Sequence, residues 1–276
     1  MDDPNAYIDI PQAIGRLDQP SLTRPEQRLY SICPDARDLD FEPTSPCLIF
    51  FDRKWMQTTI NVLTKNNFEV IKKFNKIGLT FLKHSQVGYI FIALTSWGAP
   101  AAACRLEELR SIGIKKFLIL GMGGRLQKDH PAGTLYLIDQ AIRDEGTSLH
   151  YLERSIFAHA SFKYSNEINR QLTANGMKFI QGLSWTTDAP YRETLDKFLY
   201  WQKKVCLTVE MELAALFSLG KYYKLDISAL MIGADQLTED GWIDCFNDPA
   251  IAKMKEKVSI FLSSQFIGND PNDVLL

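Results

Sequence analysis

The chain has 276 residues, 46% hydrophobic and 23% charged, the composition of a globular protein long enough to bury a substantial core. Its 31 Lys and Arg stand against 33 Asp and Glu, a net charge of −2, so the basic excess of a dedicated nucleic-acid binder is missing. No apolar run reaches the roughly eighteen residues of a membrane span, and the acidic start with Pro4 and Pro11 does not read as a signal peptide. A cytoplasmic protein with no nucleic-acid or membrane partner is therefore expected. Five scattered cysteines (Cys33, Cys47, Cys104, Cys206, Cys245) form no CxxC pair and read as reduced thiols. Four histidines without HExxH spacing give no reason to expect a metal.

Residues 1–46, rich in Pro and Asp, read as an irregular N-terminal arm, and residues 47–276 as one α/β domain. From Cys47 onward, short apolar runs alternate with amphipathic stretches. The runs are CLIFF (47–51), VGYIFIALT (87–95), KKFLILG (115–121), GTLYLID (133–139), KFIQGLS (178–184) and ISALMIG (227–233). Such runs fit strands covered on both faces. Helical spacing marks 53–65, 99–112, 210–223 and 247–264, the last through Ile251, Met254, Val258 and Phe261. The alternation predicts a mostly parallel or mixed sheet flanked by helices, with ligands bound beyond the carboxyl ends of strands.

Six segments follow predicted strands. SWGAPAAACRLEEL (96–109) opens a helix with small residues, which either let it pack closely or leave amides free for an anion. GMGGRL (121–126) places three glycines in four positions; it matches neither a Walker loop nor GxGxxG, and reads equally as a tight turn or a ligand loop. AIRDEGTSLHYL (141–152) and WTTDAPYRET (185–194) are dense in charge and aromatic rings, with Arg143 and Arg192 as anion contacts or surface ion-pair partners. In TVEMELAALF (208–217), Glu210 and Glu212 stand where a strand gives way to an apolar helix. There they either complement the helix dipole or accept from a vicinal diol. In MIGADQL (231–237), Asp235 follows an apolar strand and serves as a turn residue or as a desolvated general acid.

Taken in order, these segments resemble the family of nucleoside phosphorylases and nucleosidases, the group of uridine phosphorylase and the hexameric purine nucleoside phosphorylases. The VEME element before an apolar helix is the most specific single match. The resemblance implies a single domain whose central mixed sheet is partly closed as a barrel and flanked by helices. It also implies cleavage of a nucleoside's base–ribose bond by a homo-oligomer, a dimer or trimer of dimers, with no cofactor beyond phosphate as co-substrate. By position, Glu212 would bind the ribose 2′ and 3′ hydroxyls, with Met211 against the sugar and Glu210 beside it. Asp235 would serve N7 of a purine leaving group. Tyr191 or Trp185 would stack on the base, and Gly121, Gly123, Ser96 and Arg53 would line the phosphate or water site.

The departures are specific. The family's GDPxR loop is replaced by FFDRKW (50–55), and its Arg and Thr around the glycine segment are replaced by Ile119 and Met122. These changes remove charge-assisted contacts to a dianion, with Arg125 or Lys128 as the nearest substitutes. The uracil-reading Gln and Arg are replaced by Thr194 and Asp196, and the stacking Phe by Pro190. Phosphorolysis of a purine nucleoside is the first expectation. Hydrolysis by water, or nucleoside sensing without catalysis, are the alternatives.

Overall fold

The computed structural model describes residues 17, 19–42 and 44–267. In chain order, helix α1 (Pro25–Ile32) precedes β1 (Pro46–Phe50), α2 (Arg53–Lys65), β2 (Glu69–Phe74), β3 (Leu79–His84), β4 (Gly88–Leu94) and α3 (Ala99–Ser111). There follow β5 (Lys116–Arg125), β6 (Leu135–Asp144), β7 (Phe157–His159), α4 (Phe162–Ala174) and β8 (Ile180–Thr187). The last third holds α5 (Leu195–Lys203), β9 (Thr208–Glu210), α6 (Leu213–Tyr223), β10 (Asp226–Thr238), β11 (Gly241–Ile243) and α7 (Pro249–Ile267).

The strands join in the order β11-β10-β6-β8-β9-β5-β1-β4-β3-β2, with β7 on β6. Because β10 also pairs with β5, the strands β10, β6, β8, β9 and β5 close into a five-stranded barrel. The expected partly closed mixed sheet is what forms. Within β1 the side chains alternate between two cores. Cys47 and Ile49 pack with residues of α3 and α6, while Leu48 and Phe50 pack with residues of α2 and α7. That two-sided burial explains why the run carries no polar alternation.

One strand edge positions the site. β1 pairs with β5 only as far as Phe50↔Leu120, and β9 joins β5 at Gly124↔Val209. Between these two partners, Gly121, Met122 and Gly123 have neither strand alongside them on that edge. This parting of neighbouring strands beyond the carboxyl end of β1 is where an α/β sheet offers a crevice.

Two expectations need correction. The lead-in 1–46 is not irregular throughout, because α1 lies within it; Leu29 is fully buried and Arg28 pairs with Glu108 of α3. Residues 1–16 of that arm lie outside the described residues. GMGG is neither a turn nor a loop but extended strand within β5, without positive φ at any of its glycines. Its glycines serve close approach instead. A Cβ on Gly123 would sit 2.9 Å from the Val209 carbonyl oxygen, and one on Gly124 3.0 Å from Asp235 Oδ2.

Candidate active site

A cavity of about 1140 Å³ opens along this free edge of β5. Gly121, Met122, Gly123 and Gly124 line one wall, and Glu210, Met211, Glu212, Asp235, Tyr191 and Arg53 also face it. The position a Gly121 Cβ would take lies against Met231 and Phe51, and that of Gly124 lies against Asp235.

The VEME segment divides its two carboxylates between different tasks. Glu210 is 5% exposed and accepts four hydrogen bonds. Oε2 accepts from the backbone N–H groups of Glu212 and Leu213, both at 2.7 Å, and Oε1 from the hydroxyls of Ser184 and Thr186. Its carboxylate thereby satisfies orphan amides at the start of α6 and ties that helix to β8. Glu212, 7% exposed, is held by two donors among the described residues. Oε1 accepts from the Gly98 N–H at 2.5 Å and Oε2 from the Met211 N–H at 3.3 Å. A carboxylate has about four acceptor sites, so Glu212 keeps capacity for two hydroxyls on the cavity side. Burial, and then the charge of Glu210, push its pKa above the ordinary carboxyl range. A ligand offering a diol would relieve that desolvation.

The expectation for the small-residue start of α3 is thus resolved in an unforeseen way. Its amide at Gly98 does meet an anion, and the anion is the protein's own Glu212.

Asp235 lines the cavity from β10, where a register shift between Gly233 and Gln236 interrupts the pairing with β5. Trp242 of β11 donates its indole N–H to Oδ2 at 2.7 Å. Oδ1 has no partner among the described residues. The carboxyl is thus oriented from one side and open on the other.

The remaining expected residues separate clearly. Tyr191 lines the cavity and is fully exposed on its rim, with Pro190 beside it. Trp185 is corrected: it is 0% exposed, packs with Leu126, Phe198 and Val209, and donates to Asp144, so its ring has no free face for a base. Gly121 and Gly123 line the cavity, as does Arg53, the one cation that does so among the described residues. Ser96 is exposed and does not line the cavity, whereas its neighbour Trp97 does. Arg125 is spent on the carbonyls of Ala234 and His130, and Lys128 on Glu239; neither reaches the cavity as a free cation. Arg143 is spent in the same way, on Ser148, Leu152, Glu153 and Ser155.

Among the cavity residues that escaped the sequence reading are Glu193, Trp242 and Phe246. Glu193 sits inside WTTDAPYRET, where its charge reads as a solvated turn. Trp242 lies in TEDGWID, whose acidic composition conceals that the ring turns back onto Asp235.

The family described as the Phosphorylase superfamily matches residues 56–259, and the chain belongs to it. A guanosine phosphorylase of Halorubrum lacusprofundi is 30% identical over 139 residues, covering 50% of this chain and 58% of that protein. A uridine phosphorylase of Haemophilus influenzae is 26% identical, covering 49% of this chain and 61% of that one. The chain thus spans about three fifths of each of these relatives. The crystal structure of a uridine phosphorylase from Vibrio fischeri superimposes with a TM-score of 0.68 at 22% identity, covering 84% of this chain and 94% of the other. At that identity the likeness concerns the fold.

Proposed function

We propose that the protein cleaves the N-glycosidic bond of a purine-type nucleoside. Glu212 accepts from the ribose 2′ and 3′ hydroxyls with Met211 against the sugar, and Asp235 delivers a proton to N7 as the base departs. The carrying observation is that Glu212 and Asp235, each oriented by a donor from the protein and each keeping free acceptor capacity, line one cavity. As the C1′–N9 bond breaks, its electron pair goes to the base and positive charge grows on the sugar. An acid at N7 quenches the first, and carboxylates beside the ring favour the second.

The attacking nucleophile completes the reaction at C1′. Phosphate, giving ribose 1-phosphate, is supported by the names of the relatives and by Arg53. A second reading, attack by water, is favoured by a specific observation. Ile119 is 0% exposed within the core, apolar Met122 lines the cavity, and Arg53 stands there as the one cation among the described residues. A phosphate dianion placed among these groups would find few charge-assisted donors.

The test is release of free base from a panel of nucleosides, with and without phosphate, the sugar product being identified in each case. Ribose 1-phosphate formed only with phosphate supports phosphorolysis. Free ribose in both conditions supports hydrolysis. No base in either contradicts the proposal.

A further inference from the structure

Glu193 lines the same cavity as Asp235, yet no step of the proposed cleavage uses it. It follows the short 3-10 turn Pro190–Arg192 after β8, whereas Asp235 comes from β10 on another side of the barrel. The side chain is half-buried and has neither an ion pair nor a hydrogen bond among the described residues. Burial, with the charge of Asp235 adding to it, pushes its carboxyl up to about 7, so the two carboxyls feel each other across the cavity. A partly desolvated acceptor without a donor is costly unless a ligand supplies one.

The chemistry of that ligand follows from the neighbour. If Asp235 serves N7, the next group along the same purine edge is the substituent at position 6. A 6-aminopurine places an N–H donor there, and a 6-oxopurine a carbonyl acceptor. An ionised carboxyl accepts from the first and opposes the second, lone pair against lone pair. Among the described residues the one cation lining the cavity is Arg53; Arg192, beside Glu193 in the chain, does not line it, Lys128 is paired with Glu239, and Arg125 is held by backbone carbonyls.

We propose that Glu193 is a specificity-determining residue that selects 6-aminopurine nucleosides over 6-oxopurine nucleosides, accepting from the exocyclic amino group while Asp235 serves N7. This rests on the reading of Asp235 given above. A site built to pair with one edge rejects the other more strongly than a merely apolar pocket would.

The experiment compares kcat/KM for adenosine and inosine, at about pH 8.5 so that Glu193 is ionised, in the wild type, E193Q and E193A. The wild type is expected to prefer adenosine by about 30-fold, and E193Q, whose amide offers either a donor or an acceptor, to reduce that ratio below about threefold. Equal or inverted preference in the wild type overturns the proposal, as does an unchanged ratio in the variants. Calorimetric binding of free adenine and hypoxanthine provides a readout that needs no turnover. Adenine bound more tightly by the wild type but not by E193Q supports the role of Glu193 even where no nucleoside is cleaved, and then only the cleavage reading fails. Indistinguishable binding of the two bases by the wild type overturns it.

Discussion

The carboxylate of Glu212 accepts a hydrogen bond from the backbone N–H of Gly98 at 2.5 Å, joining the β9–α6 junction to the start of α3. The contact orients one oxygen of a nearly buried acid that lines the cavity, and with the Met211 N–H on the other oxygen it leaves acceptor capacity unused. It also places negative charge at the N-terminus of a thirteen-residue helix, where the dipole favours it. Fixed orientation without full satisfaction is what a ligand-binding carboxylate requires.

Glu212→Ala removes the acceptor and is expected to lower kcat/KM by about 10²- to 10³-fold, equivalent to roughly 3–4 kcal/mol of transition-state stabilisation. KM should rise along with the fall in kcat, because the sugar is held in both states. Steady-state kinetics on a cleaved nucleoside checks this. An effect below about threefold would remove Glu212 from the sugar site.

Glu210 carries a different burden, and its loss should be read as stability rather than chemistry. Glu210→Ala leaves two backbone amides at the start of α6 and the buried Thr186 hydroxyl without their acceptor, while Ser184 keeps the Thr208 carbonyl, a cost of about 3–5 kcal/mol. Urea unfolding should show a lower midpoint with an unchanged slope. A midpoint equal to that of the wild type would mean that the network contributes nothing.

Much of this was legible in the sequence, and the reason is physical. Strands buried on both faces carry continuous apolar runs, so β1, β4, β5 and β10 announce themselves, and β6 and β8 do so through shorter runs, while α2 and α3 show their spacing and Asp52 caps the former. Exposed β2, with its two lysines, and three-residue β7 and β11 carry too little pattern to be read, whereas β9 shows in TVEMELAALF as a strand giving way to a helix. Helix α1 hides behind prolines because one of them, Pro25, is its first residue, a position where a missing N–H costs nothing. For the site, Glu212 and Asp235, which the sequence singles out, line one cavity. Trp185 was misplaced because an aromatic beside a strand end looks the same whether its ring turns toward a ligand or into the barrel. Trp242 was missed because its contact to Asp235 depends on the β10–β11 hairpin, which local spacing does not encode.

Gly123→Ala tests the close approach of strands β5 and β9. The added Cβ would meet the Val209 carbonyl at 2.9 Å, a backbone atom that cannot rotate away. Destabilisation of about 1–3 kcal/mol is expected, visible as a lower thermal midpoint. An unchanged midpoint would show that β9 shifts freely.

The carboxyl of Glu193 also makes stability depend on pH. In the unfolded chain it titrates near its ordinary value of 4.5, and in the folded protein at about 7. Between these values the unfolded state has given up a proton that the folded state keeps. Stability from this group is therefore fully present below about 4.5 and is lost as pH rises through about 7. Glu193→Gln cannot titrate, so its thermal midpoint minus that of the wild type should grow from about pH 5 to about pH 8. A flat or falling difference would contradict the burial of this carboxyl.

The most direct test of the central claim is the rate of free-base release from a purine nucleoside by the wild type and by Asp235→Asn, at saturating substrate. The account predicts turnover by the wild type and a fall in kcat of about 10²- to 10⁴-fold in the variant, with KM changed little, because the proton reaches N7 chiefly in the transition state. Equal turnover by the two proteins would contradict the role given to Asp235, and no release by the wild type would contradict cleavage itself.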